Sequence, residues 1–314
     1  MSINKTQAAL VYLRGMAMGA ADVVPGVSGG TIAFITGIYD TLLGALSNAP
    51  KALLLLLRGQ VVQAWQTVNA TFLLLLFAGI LTSVFSLAKL ITWLMATHPI
   101  PLWSFFFGLI LVSSYLVGRE IPRWNAAVVG MFALGAGFAY WITVAEPLAW
   151  GSDPLSLFCA GAIAICAMIL PGISGSFLLL LMGLYPTVIA AVKSLDIGFL
   201  AVFAAGCLFG LLAFAKLLHW LLQRFRAAAL AFLTGLMLGS LNKVWPWKEV
   251  LQWITDRHGE QRPLLEANLW PWQFSATGHD AQLVLALVMA VLGVVLVLAL
   301  EWVAARLRGT GAAS

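Results

Sequence analysis

Charged side chains are scarce in this sequence. Asp, Glu, Lys and Arg make up 9% of its 314 residues, against about 25% in a soluble domain. With 62% hydrophobic residues, that excludes a water-soluble fold and points to a polytopic membrane protein. The net charge of +5 comes from basic residues scattered at segment ends, without a stripe or block, so no nucleic-acid partner is expected. Cysteine is rare as well. Cys159, Cys166 and Cys207 sit in apolar segments without disulfide or metal spacing and read as packing residues. There is no His-x-x-x-His or Cys-x-x-Cys spacing and no Walker motif, so no metal, cofactor or ATPase chemistry is called for. A catalytic set is also missing, because Ser28 and Ser174 lack a His or carboxylate pair in matched positions, although Asp22 is near one of them. No cleavable signal peptide is expected: Lys5 and Arg14 interrupt the first apolar run.

What the sequence has instead is long apolar runs. They do not alternate, so helices and not a barrel satisfy the backbone in the bilayer. Runs 70–97, 101–118, 125–145, 197–223, 228–242 and 282–305 read as crossings. Two further pairs, 7–24 with 29–46 and 155–170 with 175–192, are joined at PGVSG and PGISG. Their arms are shorter than the roughly 20 residues a crossing takes. Hairpins 7–46 and 155–192 therefore read as re-entrant, although two full crossings per hairpin give the same sidedness. With the N-terminus inside, Lys5, Lys51, Arg58, Arg119, Arg123, Arg224, Arg226, Arg306 and Arg308 all fall inside. Both termini are expected in the cytoplasm and loop 243–281 outside. Thirteen Trp fit interfacial belts.

The two interruptions belong to a longer repeat. "PGVSGGTIAFITGIY" (25–39) and "PGISGSFLLLLMGLY" (171–185) align at an offset of 146. At offset 127, "GILTSVFSLAKLITWL" (79–94) meets "GCLFGLLAFAKLLHWL" (206–221), so Lys89 pairs with Lys216. Gly108, Leu109 and Ser113 then meet Gly235, Leu236 and Ser240. The fold expected is an all-α polytopic membrane protein built as an inverted-topology repeat, 1–146 and 147–314. Each half is one re-entrant helical hairpin plus three transmembrane helices. Three crossings are an odd number, so the second half enters from the opposite face, as in secondary transporters with a midplane site. A duplicated structural scaffold is the plain alternative.

Pro25 and Pro171 end a helix, and Gly26 and Gly172 permit the turn that follows. Helices then restart near Ser28 and Ser174. Ser28, Gly29, Gly30 and Thr31 on one side, with Ser174, Gly175 and Ser176 on the other, offer hydroxyl and amide donors to an anion, phosphate above all. Self-capped tight turns are the plain reading of the same residues. Lys89 and Lys216, at matched places in apolar helices, are expected to add charge, or else to snorkel to the interface. Arg14, which faces Ala160 in the repeat, is a further candidate for binding the substrate, as are Tyr39 and Tyr185. Asp22, opposite Met168, is the candidate for a proton or coupling-ion site, or a counter-charge to Arg14 or Lys89.

The stretches "GMAMGAADVVPGVSGGTIAFITGIYDTLL" (15–43) and "MILPGISGSFLLLLMGLYPTVIAA" (168–191) resemble the polyprenyl-phosphate transporter family along the length of the chain. The resemblance implies a flippase-like translocase of undecaprenyl or polyprenyl phosphate in the bacterial cytoplasmic (inner) membrane, returning the lipid carrier for cell-wall synthesis. Asp22, Pro25, Gly26, Ser28, Gly29, Gly30, Thr31 and Tyr39 match its first motif. Pro171, Gly172, Ser174, Gly175, Ser176 and Tyr185 match its second. Proton or sodium coupling and homo-oligomerisation stay open, as do transport of a small soluble anion, a lipid-phosphate-processing enzyme and a membrane scaffold.

Overall fold

The structure, a computed structural model, describes residues 5–23, 28–145, 148, 150–151, 153–255 and 261–310. The first half holds α1 (Lys5–Asp22), α2 (Gly29–Ile35), α3 (Tyr39–Ser47), α4 (Ala49–Leu57), α5 (Val61–Thr67), α6 (Ala70–Thr97), α7 (Pro99–Gly118) and α8 (Ala126–Val144). The second holds α9 (Pro154–Ile169), α10 (Gly175–Leu181), α11 (Tyr185–Ser194), α12 (Ile197–Arg224) and α13 (Arg226–Ser240). After these come β1 (Lys248–Thr255), β2 (Gln261–Asn268), α14 (Pro271–Ala276) and α15 (Leu283–Thr310). Helices dominate, as expected of an all-α polytopic membrane protein. Among the described residues, the five helices α6, α7, α8, α12 and α15 are long and apolar enough to cross a membrane, or up to seven spans exist if each bent pair counts as one.

Local chemistry explains several starts. Asn125, Asp153 and Asp196 cap α8, α9 and α12 by accepting from Val128, Ser156 and Phe199 N–H. Pro99 and Pro154 occupy first helical positions, where a missing N–H costs nothing.

Four sequence expectations need correction. The arms 29–46 and 175–192 are not continuous: α2 and α3 meet at 117°, and α10 and α11 at 107°. Gly37 (φ +71°) and Gly183 (φ +69°), equivalent in the repeat, hold the left-handed conformation that turns the chain there. Residues 49–67, outside the elements expected from the sequence, form α4 and α5, whose exposed Leu53, Leu57 and Trp65 suit a membrane surface. Loop 243–281 contains an antiparallel β-hairpin, with Lys248 opposite Asn268 and Val250 opposite Glu266, followed by α14. Finally, the expected crossing 228–242 is α13, 15 residues long. That is about 22 Å of helix, short of a hydrocarbon core of about 30 Å. Leu230, Leu233, Leu236 and Met237 are fully buried, so protein and not lipid surrounds this short helix, and it need not match the hydrocarbon thickness.

Helix packing is similar at the positions aligned in sequence. α1 lies on α6 and α9 on α12. Gly15 abuts the Leu76 carbonyl and Gly79 that of Tyr12; their equivalents Gly161 and Gly206 abut the carbonyls of Phe203 and Phe158. The outer helices are exchanged: α7 packs with α15, and α13 with α8. Gly108 meets the Ala290 carbonyl as Gly235 meets that of Phe132. Gly293 meets Phe105 as Gly135 meets Phe232. Glycine lets these backbones approach where any side chain would collide. α7 and α13, equivalent in sequence, pack together in the centre and run in opposite directions. Arg226 at the start of α13 pairs with Glu120 just past the end of α7, at 3.4 Å. Lys248, beyond the end of α13, lies over Trp103 near the start of α7.

Candidate functional site

The two motifs meet. α2 and α9 are in contact, three hydrogen bonds cross the junction and a fourth holds Ser28 in place within the first motif. Ser28 Oγ donates to the Met168 carbonyl at 2.9 Å, and Tyr39 Oη to the Ile169 carbonyl at 3.0 Å. Gly172 N–H donates to Thr31 Oγ1 at 2.9 Å, and Gly30 N–H to Ser28 Oγ at 3.1 Å. Met168 and Ile169 end α9, where carbonyls lack helical partners, so the first motif satisfies the second. The start of α2 is closed as well: Gly29 N–H donates to Asp22 Oδ1 at 2.7 Å. Ser28 and Thr31 are buried, and Gly30 packs on the Ile169 carbonyl. Pro25 and Gly26 lie outside the described residues. Pro171 is buried, and Gly172 packs against Ser240 and Met237 at the end of α13.

The second motif is not the mirror of the first. Ser174, equivalent to Ser28, pairs through Oγ with Ser176 Oγ at 2.8 Å and makes no side-chain cap. Gly175 lies against the Ala164 carbonyl. Tyr185, equivalent to Tyr39, is half-buried beside Leu184 in a smaller apolar cluster. The second motif thus keeps hydroxyls engaged only with each other.

An open crevice of about 420 Å³ reaches this motif. Phe138 of α8, Cys166 of α9 and Phe214 of α12 line it together with Leu170, Ile173 and Leu178. Every lining side chain is apolar. Ile173 is one residue from Ser174, so an apolar slot and a hydroxyl pair are neighbours.

The remaining sequence candidates are not at the junction. Lys89 and Lys216 are exposed on α6 and α12. The buried stripe of α6 runs through Phe72, Leu76, Ser83 and Ile91, and that of α12 through Ala215, Leu218 and Leu222. Helical geometry turns each lysine away from it. Arg14 is half-buried on α1. Sequence reading passed over Lys243, Lys248 and Glu266, which converge beside the second motif. Lys243 and Lys248 both donate to Glu266 Oε2, at 3.1 and 3.3 Å. Burial pushes the Glu266 carboxyl up, but the two lysine charges outweigh it and hold the group below its ordinary range. The signal was faint: three charges spread over 24 residues of a loop of mixed sign.

Comparison with known proteins adds relatives. A family model described as VCA0040-like, undecaprenyl phosphate translocase-like, matches residues 18–262. The chain is 54% identical over 292 residues to the polyprenyl-phosphate transporter of Vibrio cholerae serotype O1 (strain ATCC 39315 / El Tor Inaba N16961), covering 92% of this chain and 95% of that one. It is 33% identical over 252 residues to the polyprenyl-phosphate transporter of Staphylococcus aureus (strain NCTC 8325 / PS 47), covering 74% and 85%. No solved structure matches.

Proposed function

This chain belongs to the VCA0040-like, undecaprenyl phosphate translocase-like family, and from that membership we propose that it carries polyprenyl phosphate, undecaprenyl phosphate in particular, between the leaflets of the bacterial cytoplasmic membrane. It is a carrier and not a catalyst, and it returns the lipid for use in cell-wall synthesis. The observation that bears most weight is the crevice. An isoprenoid tail finds an apolar slot open at the side, and the slot reaches the motif whose Ser174–Ser176 hydroxyls receive the phosphate. A soluble anion has no use for such a slot.

The opposed directions of α7 and α13 support the inverted-topology repeat, and the repeat supports alternating access. In this conformation the first motif is sealed onto α9 and the second is the receiving side. Access from the other leaflet requires the bonds of Ser28, Thr31 and Tyr39 to part, exposing those groups in their turn. Asp22 is the coupling group: its carboxylate holds Gly29 N–H, and a proton on it weakens that hold and loosens α2.

The test is leaflet exchange of undecaprenyl phosphate by the purified protein in proteoliposomes, beside uptake of labelled inorganic phosphate. Lipid exchange without phosphate uptake supports the reading; phosphate uptake alone overturns it. Asp22→Asn keeps an oxygen for Gly29 N–H, so binding is expected to survive while pH-dependent exchange is lost. Normal pH dependence in that variant leaves Asp22 a structural cap.

A further inference from the structure

Lys243, Lys248 and Glu266 carry an unbalanced charge. Lys243 follows α13, Lys248 opens β1, and Glu266 lies in β2. The Lys248 side chain is 8% exposed, and those of Lys243 and Glu266 are each 20% exposed. Two cations sharing one carboxylate leave a net +1 in a place largely closed to water. A buried charge without a counter-charge is costly.

Local devices offset part of that cost. Lys243 Nζ lies 4.7 Å from the centroid of Phe177, and Lys248 Nζ 4.7 Å from that of Trp103. Lys248 Nζ also donates to the Lys243 carbonyl at 2.6 Å. None of these supplies negative charge. Burial draws the Lys248 ammonium down to about 8, which still leaves it protonated at neutral pH. Lys243 and Glu266 are the charged groups that act on it. Among the described residues the cluster therefore has two cations and one carboxylate, and lacks a second anion.

Its position says which anion. Phe177, under Lys243, follows Ser176, whose hydroxyl pairs with that of Ser174. Ile173 and Leu178, which flank that pair in sequence, line the apolar crevice. A tail in the crevice brings its polar head toward the serines, and Lys243 lies over Phe177 of that same element. Lys243 is the more exposed ammonium and is the one a headgroup meets first. Lys248 sits behind it.

We propose that Lys243 and Lys248, with Glu266 as an exchangeable counter-ion, form a binding site for a phosphate monoester on the β-hairpin side of the second motif. This rests on the reading of the chain as a polyprenyl-phosphate carrier and supplies the headgroup charge that Lys89 and Lys216 do not. The ligand chemistry is common to a lipid headgroup and to free phosphate.

The experiment measures binding to the purified protein in nanodiscs, with undecaprenyl phosphate, undecaprenol and inorganic phosphate as separate probes. The double variant Lys243→Gln/Lys248→Gln is expected to bind undecaprenyl phosphate about 10- to 100-fold more weakly, with undecaprenol unchanged. Lys243→Arg/Lys248→Arg restores the charge and most of the affinity. Glu266→Gln frees both lysines and binds at least as tightly as wild type. It decides the matter if the glutamine pair fails to fold. Loss of lipid binding alone assigns the site to the lipid headgroup; parallel loss of inorganic phosphate assigns it to phosphate in either form. Wild-type affinity in the glutamine pair overturns the site and leaves the carrier reading standing. A loss in Glu266→Gln equal to that of the lysine variants overturns it too, since the cluster is then only a clamp. If wild type binds no undecaprenyl phosphate but its phosphate binding depends on the lysines, the carrier reading falls and the site stands.

Discussion

Tyr39 and Tyr185 occupy equivalent places in the two halves, yet their hydroxyls have different fates. Tyr39 is buried and donates to the Ile169 carbonyl, whereas Tyr185 is half-buried on the flank of α11. A hydrogen bond of this kind contributes about 1 kcal/mol net, and leaving the buried carbonyl unpaired costs more. Tyr39→Phe is therefore expected to destabilise the detergent-solubilised protein by about 1–3 kcal/mol. Tyr185→Phe should stay within about 0.5 kcal/mol of wild type. Thermal unfolding of the two variants side by side decides it, and equal effects contradict the asymmetry of the junction.

At the scale of elements, helix pairs are held by bare backbone. Gly79 of α6 sits on α1 and Gly206 of α12 on α9 in equivalent contacts. A valine at either position meets a carbonyl at once, and overpacking of this kind costs about 1–3 kcal/mol. Gly79→Val and Gly206→Val should lower the unfolding temperature by similar amounts; a large effect at only one site shows that the two pairs do not carry equal weight. The β-hairpin is anchored differently, through Lys248 and Glu266. Glu266 is held below its ordinary range, so its contribution is present above the unfolded carboxylate range and lost as pH falls. The Lys248 shift is a cost at neutral pH and not a contribution, although its pH slope has the same sign. Its folded value of about 8 lies below the ordinary 10.5, a difference of about 3 kcal/mol. Between those values the unfolded chain binds more protons, so this lysine makes the fold more stable as pH rises through that window. Comparing unfolding of wild type and Lys248→Gln from pH 7 to 10.5 isolates the effect. The rise should belong to wild type alone, and parallel curves contradict it.

For the whole molecule the open question is sidedness. Arg119, Arg226 and Glu120 gather at one end of the α7–α13 pair and the β-hairpin at the other. The positive-inside rule puts the first end in the cytoplasm. In a background lacking Cys159, Cys166 and Cys207, a periplasmic thiol reagent should label Ala276→Cys and spare Gln60→Cys. Both positions are exposed, so access rather than burial decides. The reverse pattern inverts the orientation and with it the direction of lipid return.

Several features were legible in the order of residues alone. Sparse charge and long apolar runs determined a membrane protein, because water rejects such a chain and the bilayer does not. The crossings 70–97, 101–118 and 125–145 match α6, α7 and α8 closely, since an uninterrupted apolar stretch leaves the backbone no choice but a helix. The two Pro-Gly motifs marked the junction, because helix breaks in apolar surroundings are costly and rarely idle. Other features were decided only by tertiary structure. Both equivalent serines are buried, but which of them bonds across the halves, as Ser28 does, and which pairs within its own motif, as Ser174 does, depends on how the halves dock. No sequence position states that. Lys89 and Lys216 looked buried because their neighbours are apolar, yet in a bilayer the exposed face of a helix is apolar too, so hydropathy cannot tell core from lipid contact. Lys243, Lys248 and Glu266 looked like ordinary loop charges, and they became a cluster only when a β-hairpin folded back over the ends of α13 and α7 and shut out the water that would have screened them.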